Sequence, residues 1–370
     1  MPEDEIIGRA TEALSFAEVE YVLIDAVRNQ RLAETVRRLI EADPSAVSSE
    51  GRALALRASN ACSRIEHQTR TAKNAAVDLV TSNGIEVTSD GSAPRGAGTQ
   101  FHQFHLRVSR MDLDETIRLI ESIGYFRWEA WSGGAWKSFV RSHSQLTMIR
   151  TDRITMRLVL SWDEKQTSSL AARIFKPSAA DYELVTLTER FWPLYHIVRP
   201  VRLVGERLLG RSRRDPDWPF LGTPEQLVIP LLDLAAVTSE DQLMDLGCGD
   251  GRIVEVAARE YGCHAIGIEN DSRLAELAEL RCSAADIRHL VEIVEGDGRT
   301  SRFDNVTVLF LFLPASEIGS LVRYARSVLK SGARIVAHEQ SRIETAVEPD
   351  QTRLLLTDAA VTVAHVWTIH

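Results

Sequence analysis

The sequence predicts an α/β fold for the C-terminal half, with a doubly wound and mostly parallel sheet, preceded by a separate α+β domain. A glycine-rich stretch at 245–251 stands between a short apolar segment and a helical run. Four more apolar segments follow, each separated from the next by a more polar stretch. Strands that alternate with helices form parallel sheets with both faces covered. The first 200 residues instead combine amphipathic helices with clustered strands, which predicts a domain of another class.

The glycine-rich stretch reads Asp245-Leu-Gly-Cys-Gly-Asp-Gly, which indicates a strand end, a tight turn and the start of a helix. Glycines there let the backbone come close to a ligand, because no Cβ stands in the way. The helix that follows presents unpaired N–H groups and a partial positive charge. The pattern therefore predicts a site for a nucleotide-like cofactor. We interpret Cys248, inside the turn, as a small filler rather than a nucleophile.

Acidic residues close the next two apolar segments. Glu269 follows the segment at 264–268, and it comes 24 residues after Asp245. A doubly wound fold places the acid that binds ribose hydroxyls at about this distance. Asp297 follows the segment at 291–296. Because ligands bind at the carboxyl ends of the strands in such sheets, we expect these carboxylates at one site.

With these three motifs in this order, residues 216–370 resemble the class I S-adenosylmethionine-dependent methyltransferases, which have a Rossmann-like domain. The resemblance implies S-adenosyl-L-methionine as the cofactor and methyl transfer as the reaction. It also implies a set of cofactor-binding residues: Asp245, Gly247, Cys248, Gly249, Asp250, Glu269, Asn270, Asp297 and Gly298. Asp250 would orient the methionine amine or would only cap the following helix. The fourth apolar segment lacks the Asn/Asp-Pro-Pro-Tyr signature of adenine-N6 and glutamine methyltransferases, which disfavours those substrates.

The segment Trp218-Pro-Phe-Leu-Gly-Thr-Pro-Glu-Gln226 resembles the region before the first motif in a non-SET lysine methyltransferase subgroup. That subgroup includes enzymes that act on the ATP synthase c subunit. Its pre-motif segment folds over the cofactor, so Phe220 and Thr223 would touch S-adenosylmethionine. The end of the fourth strand is also similar, and Phe312 there would contribute to the same site.

Two of these features have an alternative reading. Thr223, Pro224 and Gln226 suit the N-cap, the first helical position and the capping-box position of an ordinary helix. Phe310 and Phe312 lie in a segment that is apolar throughout. Core packing is therefore expected of at least one of the two rings.

Methyl transfer from a sulfonium is an in-line displacement, so catalysis can come mainly from holding the nucleophile, the methyl group and the sulfur in line. An amine acceptor must first lose a proton, either to solvent or to a nearby base. His338 and Glu339 end the fifth apolar segment and are the candidate catalytic residues. A solvated pair at a strand end would give the same pattern.

The composition is that of a globular protein with room for two domains: 370 residues, 44% hydrophobic and 26% charged. No run approaches the roughly 20 apolar residues of a membrane span. The acidic start at 1–5 differs from a signal peptide. The four cysteines form no Cys-x-x-Cys pair. This usage favours a reduced, cytoplasmic setting and no metal site.

Charge is unevenly divided between the halves. Residues 1–214 hold 30 Lys and Arg against 27 Asp and Glu, a net charge of +3, and residues 215–370 hold 13 against 25, a net charge of −12. An acidic catalytic half would repel a phosphate backbone and attract a cationic amine. Nucleic acid is therefore not expected as a partner. Solubilising surface charge is the alternative interpretation.

The N-terminal domain, 1–180, is predicted to begin with helices over 16–83 and to contain one later helix at 113–122. Its expected strands are 84–88, 101–108, 125–131, 136–141, 145–150 and 154–162. This order faintly resembles a nucleotidyltransferase family, which implies a degenerate domain that binds a substrate. His102 and His105 stand where that family has acids. Three residues apart on a strand, they face opposite sides and are poorly placed to share a metal.

Residues 181–215 are predicted to connect the domains. The spacing at 201–210 is helical with a basic face, which suits either a membrane-surface helix or a solvated interdomain helix.

The sequence as a whole predicts a methyltransferase whose acceptor is nitrogen, in a protein lysine or another amine. One alternative is an N- or O-methyltransferase of a small molecule or natural product, with the substrate held by the N-terminal domain. A cofactor-binding scaffold without turnover is another. A homodimer is compatible with each of them.

Overall fold

The computed structural model describes residues 13–29, 31–89, 102–127, 133–150, 156–162, 187–209, 222–298, 301–339, 347–358 and 360–370, together with Phe175, Pro177, Tyr182 and Ile343. Two sheets organise this part of the chain, one of five strands and one of seven. None of the helices in the described ranges is long and apolar enough to cross a membrane.

The N-terminal half begins with three helices, as predicted: α1 (Phe16–Arg28), α2 (Leu32–Glu41) and α3 (Ser49–Ser82). The elements that follow are β1 (Val87–Ser89), β2 (His102–Val108), α4 (Leu113–Ser122), β3 (Phe126–Arg127), α5 (Gly133–Ser142), β4 (Gln145–Arg150), β5 (Met156–Ser161) and α6 (Tyr195–Leu209). The five strands form a mixed sheet in the order β1-β2-β5-β4-β3, in which only β2 and β5 are parallel.

The strand predicted at 136–141 is wrong, because this stretch is part of helix α5. Ala135, Ser138 and Phe139 are buried at helical spacing, so packing against the sheet favours a helix. Trp136 lies between them, and its Nε1 donates a hydrogen bond to the Asp114 carboxylate at 2.9 Å.

Helix α3 joins the two halves. It has 34 residues, which at 1.5 Å per residue makes it about 50 Å long. Leu54 and Ile65 in its first half pack with α1, α2 and strand residues near the C-terminus, such as Val363. Ala76 and Val80 in its second half belong to the core of the five-stranded sheet. The first helices thus share a core with the C-terminal half, and the boundaries 1–180, 181–215 and 216–370 stay a prediction.

The connector is helical, as its spacing predicts. Tyr195 at the start of α6 is fully buried in the core of the five-stranded sheet. Phe191, Ile197 and Val201 are exposed. Both interpretations of this helix, membrane-surface and interdomain, therefore stay predictions.

The C-terminal half contains α7 (Glu225–Leu234), β6 (Gln242–Leu246), α8 (Arg252–Tyr261), β7 (His264–Glu269), α9 (Ser272–Ala284), β8 (Val291–Glu295), β9 (Val308–Leu311), α10 (Ala315–Val328), β10 (Arg334–His338), β11 (Gln351–Leu356) and β12 (Val361–Thr368). The sheet order is β11-β12-β10-β9-β6-β7-β8. The strands from β10 to β8 are parallel, which confirms the doubly wound α/β prediction. The chain reverses direction of winding between β6 and β9, the place where such sheets bind ligands.

The last two strands were not predicted. β12 pairs antiparallel with β10 and with β11, so the sheet extends past its fifth parallel strand. Thr362 and His365 are buried within β12, and these polar residues interrupt the apolar pattern from which a buried strand is recognised.

Candidate active site

The glycine turn after β6 is folded against the neighbouring strand. The N–H groups of Gly247 and Cys248 donate to the Ile268 carbonyl at 2.8 and 3.0 Å. Gly247 and Gly249 have φ values of 76° and 58°, in the left-handed region where glycine has no steric penalty. A Cβ at Gly247 would lie 3.1 Å from Leu313 Cδ2. The turn therefore needs a backbone with positive φ and a side chain small enough for close packing, and glycine meets both requirements.

Glu269 is fixed beside this turn at the end of β7. Its Oε2 accepts a hydrogen bond from Gly249 N at 2.8 Å, and its Oε1 accepts from Asn270 N and Asp271 N at 2.8 and 2.9 Å. Burial raises the pKa of this carboxyl above its usual value, although the three N–H donors oppose the change. The Glu269 carbonyl accepts from Gly296 N at 2.8 Å. This bond brings the end of β8 to the same edge.

Two more carboxylates flank the turn, in different electrostatic settings. Burial, and then the charges of Glu269 and Asp250, raise the pKa of Asp245 well above its usual value. Asp250 is also buried, which by itself raises its pKa, but hydrogen bonds and charge from Arg252, together with the charge of Arg281, outweigh burial and leave it lowered. Among the described residues, Asp245 and Glu269 are therefore the acids at the turn that have no arginine partner. A cationic ligand at the turn would relieve the repulsion between them.

The segment before α7 is anchored across this edge of the sheet. The Thr223 carbonyl accepts from Arg252 Nη1 at 2.8 Å, and the Thr223 hydroxyl lies 3.0 Å from His338 Nε2. A Cβ on Gly222 would lie 2.5 Å from Arg252 Cζ, so the guanidinium lies directly on this backbone. Pro224 is the N-cap of α7, and no side chain caps it. The reading of Thr223 as the N-cap is thus wrong, because its hydroxyl is bonded to His338 instead.

His338 ends β10 as a fully buried imidazole. Its ring stacks on Phe312 with a centroid distance of 3.8 Å and an angle of 8°. Its Nδ1 is buried and has no hydrogen-bond partner among the described residues. Burial lowers the pKa of this imidazole to about 3, so the ring is neutral at physiological pH.

The strand register places the His338–Phe312 stack beside the glycine turn. Ala337 pairs with Leu311, and Leu311 pairs with Leu246. His338 directly follows Ala337 in the chain, and Phe312 directly follows Leu311. Phe312 follows β9, one strand spacing from β6, and His338 ends β10, two spacings away, so their backbones stand about 5 Å and about 10 Å from the β6 strand that carries the turn. Phe310 is fully buried and belongs to the core, as the alternative reading expects for one of the two rings.

Glu339 has a structural role in this fold. Its Oε1 accepts from Arg28 Nη2 at 2.8 Å and is bonded to His365 Nε2 at 2.8 Å. Burial tends to raise the pKa of Glu339, but its bonds to His365 and Arg28 leave it lowered. The carboxylate thus ties α1 to the sheet. Its catalytic role stays a prediction.

The remaining predicted residues have different placements. Asp297 and Gly298 are half-buried after β8, and the side chain of Asn270 is exposed. Burial raises the pKa of the Cys248 thiol well above its usual value, in keeping with a filler. Phe220 lies outside the described residues. His105 does not belong to any group of three or more His, Cys, Asp or Glu residues placed to hold a metal, because the described part of the chain has none.

These features fit S-adenosylmethionine, which carries positive charge on its sulfonium and its amine. The turn offers close backbone approach at Gly247, and the raised pKa values of Asp245 and Glu269 mean that a bound cation would stabilise their ionised forms. Three arginines form ion pairs with acids around the site: Arg252 and Arg281 pair with Asp250, and Arg28 pairs with Glu339. Sequence reasoning missed these three arginines, because their partners become visible only when the chain is folded.

Comparison with known proteins points the same way. A family profile described as the ANTKMT methyltransferase domain matches residues 245–341. A protein-lysine N-methyltransferase of Saccharolobus islandicus (strain REY15A) is 36% identical over 127 residues, which are 34% of this chain and 78% of the relative.

Similar solved structures include an RNA methyltransferase from Salinibacter ruber in complex with S-adenosyl-L-homocysteine. It is 34% identical, with a TM-score of 0.37, over 40% of this chain and 94% of that one. A SAM-dependent methyltransferase from Thiobacillus denitrificans, with the same ligand, is 22% identical, with a TM-score of 0.29, over 37% of this chain and 54% of that one. On the strength of the Saccharolobus relative and the family profile, this chain belongs to the protein-lysine N-methyltransferases within the class I S-adenosylmethionine-dependent methyltransferases.

Proposed function

We propose that this enzyme methylates the side-chain amine of a lysine in a protein substrate. The observation that carries the proposal is the His338–Phe312 stack, at the ends of the two strands beside the acidic glycine turn. The Nδ1 of His338 is buried and has no hydrogen-bond partner among the described residues. An apolar wall with one neutral imidazole nitrogen available for a hydrogen bond suits an uncharged amine. The name of the Saccharolobus relative supports the same acceptor.

In the proposed mechanism the bound sulfonium supplies the electrophilic methyl group. Asp245 would face the cationic end of the cofactor and Glu269 would accept hydrogen bonds from its ribose hydroxyls, with Gly247, Gly249, Asp297, Gly298 and the main chain at Cys248 and Asn270 around it. Thr223 and, by resemblance, Phe220 cover it. His338 accepts a hydrogen bond from the lysine amine and orients its lone pair, while solvent takes the amine proton. Glu339 keeps the end of β10 in place through Arg28.

The pH dependence of turnover separates this role for His338 from general-base catalysis. Because burial holds the pKa of His338 at about 3, the imidazole does not change charge between about pH 5 and pH 8. We expect the rate at saturating substrates to rise with pH as the substrate amine loses its proton, with no step near the ordinary histidine pKa of about 6.5. Such a step, abolished in His338→Gln, would contradict the proposed role.

The acceptor can be identified with the full-length protein, radiolabelled cofactor and cell lysate. We expect label in the protein fraction and, after acid hydrolysis, in methyllysine. Glu269→Ala serves as the matched control for background labelling. Methylated residues other than lysine would reject the proposal.

The same experiment tests the rival acceptors. Label in the small-molecule fraction would favour a metabolite methyltransferase, and cofactor binding without any labelled product would favour a scaffold. Label in RNA would favour a nucleic-acid acceptor. The net charge of −12 over residues 215–370 argues against RNA, because an acidic surface repels phosphates. We also propose a cytoplasmic location, a two-domain organisation and the capacity to form a homodimer.

A further inference from the structure

The second face of the five-stranded sheet carries polar residues that the methyltransferase site does not use. On β2 and β5, the side chains of Phe104 and Leu158 point into the core. Alternation along the strands therefore sends Gln103 and Arg157 to the opposite face, where they are direct neighbours across the parallel pair. Thr147 of β4 is on this face too, with its hydroxyl 3.5 Å from Arg157 Nη2.

This face is sheltered from water. Ile149, the β4 neighbour of Arg157, is 0% exposed, and Val159, two residues along β5, is 5% exposed. Neither residue belongs to the core on the other side of the sheet. Arg157 is itself half-buried between them. The Nε atom of its guanidinium is buried, while the side chain as a whole keeps partial contact with solvent.

Arg157 has no carboxylate partner within the described residues. The Nε atom of Arg157 is buried and makes no hydrogen bond with the described residues. The Nη2 atom donates a long hydrogen bond to the Thr147 hydroxyl. Burial lowers the pKa of the guanidinium, and no acid among the described residues offsets this effect. By contrast, the buried Arg252 is paired with Asp250 at 2.7 Å. An uncompensated charge of this kind is costly to keep in a folded protein.

We propose that Arg157 marks a binding site for the oxyanion group of a small molecule, a phosphate or a carboxylate, on this face of the N-terminal sheet. The planar guanidinium matches such a group with two parallel N–H donors. Gln103 adds an amide held in place by its bond to His105 Nε2 at 2.7 Å, and Thr147 adds a hydroxyl. The ligand supplies the negative charge that the described residues around Arg157 lack.

The test uses thermal unfolding of the full-length protein in sodium chloride, with inorganic phosphate, pyrophosphate or succinate added at constant ionic strength. A ligand that binds only the folded state raises the melting temperature in a saturable way. We expect saturable stabilisation of the wild type, and the more effective anion distinguishes a phosphate from a carboxylate site. No saturable effect beyond that of chloride for any of the three anions would overturn the proposal.

Three variants localise the effect. Arg157→Met is expected to lose the stabilisation by anions while melting, in chloride alone, at or above the wild-type temperature, because an unpaired buried charge has been removed. Arg157→Lys keeps the charge but loses the planar fork, and its apparent affinity is expected to fall about tenfold. Arg118→Met, on the helix layer of the same domain and paired with Glu115, is the control and should respond like the wild type.

The variants also offer outcomes that would overturn the proposal. Retained anion stabilisation in Arg157→Met would place the site elsewhere. A lower melting temperature of Arg157→Met in chloride would give the arginine a structural role. If Arg157→Met does not fold, stabilisation of Arg157→Lys by anions equal to that of the wild type would also place the binding site elsewhere. Cofactor binding by each variant is measured in parallel, so failure here is distinct from failure of the methyltransferase proposal.

Discussion

Replacement of Glu269 by glutamine is expected to weaken binding of S-adenosylmethionine by about 100-fold. The carboxylate holds three backbone N–H groups at the turn and faces the same edge as Asp245. A hydrogen bond to a charged group contributes about 1.5–3 kcal/mol, and 2.7 kcal/mol corresponds to a factor of about 100 in the dissociation constant. Glutamine keeps the shape of the side chain but removes the charge and one acceptor.

Isothermal titration of both proteins with the cofactor gives the two dissociation constants. Glu292→Gln is the matched control, because Glu292 is an exposed glutamate on the neighbouring strand β8. It is expected to bind like the wild type. Circular dichroism of Glu269→Gln checks that the fold persists. An affinity within threefold of the wild type in a folded variant would remove Glu269 from the cofactor site.

Replacement of Arg252 by leucine is expected to lower the free energy of unfolding of the C-terminal half by about 3 kcal/mol or more. Arg252 is buried, donates to Asp250 at 2.8 and 2.7 Å, and donates to the Thr223 carbonyl at 2.8 Å. Its loss leaves Asp250 buried with only Arg281 as a partner. It also releases the segment that carries Thr223 over the sheet edge.

Urea unfolding followed by tryptophan fluorescence and circular dichroism measures this change. Arg259→Leu, on the same helix, is the matched control. Arg259 is half-exposed and pairs with the exposed Glu260 and with the buried Glu255, which keeps Arg281 as a second partner. Its loss is therefore expected to cost only about 1 kcal/mol. Equal effects of the two substitutions would show that the Arg252 cluster is no more important than a surface pair.

The glycine turn and its acids were predictable because their signals are local. Glycines at positions 247 and 249 indicate a backbone with positive φ, and Glu269 lies at the end of an apolar strand. The five parallel strands of the C-terminal sheet, and the edge at which they end, follow from the apolar segments and the order of the motifs, whereas β11 and β12 do not. The sequence therefore predicts where the cofactor binds without any knowledge of the N-terminal domain.

The contacts that were missed join residues far apart in the chain. Thr223 meets His338 across 115 positions, and Arg28 meets Glu339 across 311. No periodicity encodes such pairs. Helix α5 was misread because its aromatic residues suit a strand equally well, and packing of Phe139 against the sheet decides the outcome.

Titration of the purified full-length protein with S-adenosyl-L-homocysteine, the demethylated product, tests the central claim most directly. The turn at Gly247, with Asp245 and Glu269, predicts saturable one-to-one binding that is lost in Glu269→Gln and kept in Glu292→Gln. Absence of binding by the wild type, or equal binding by Glu269→Gln, would contradict the assignment of this turn as the cofactor site.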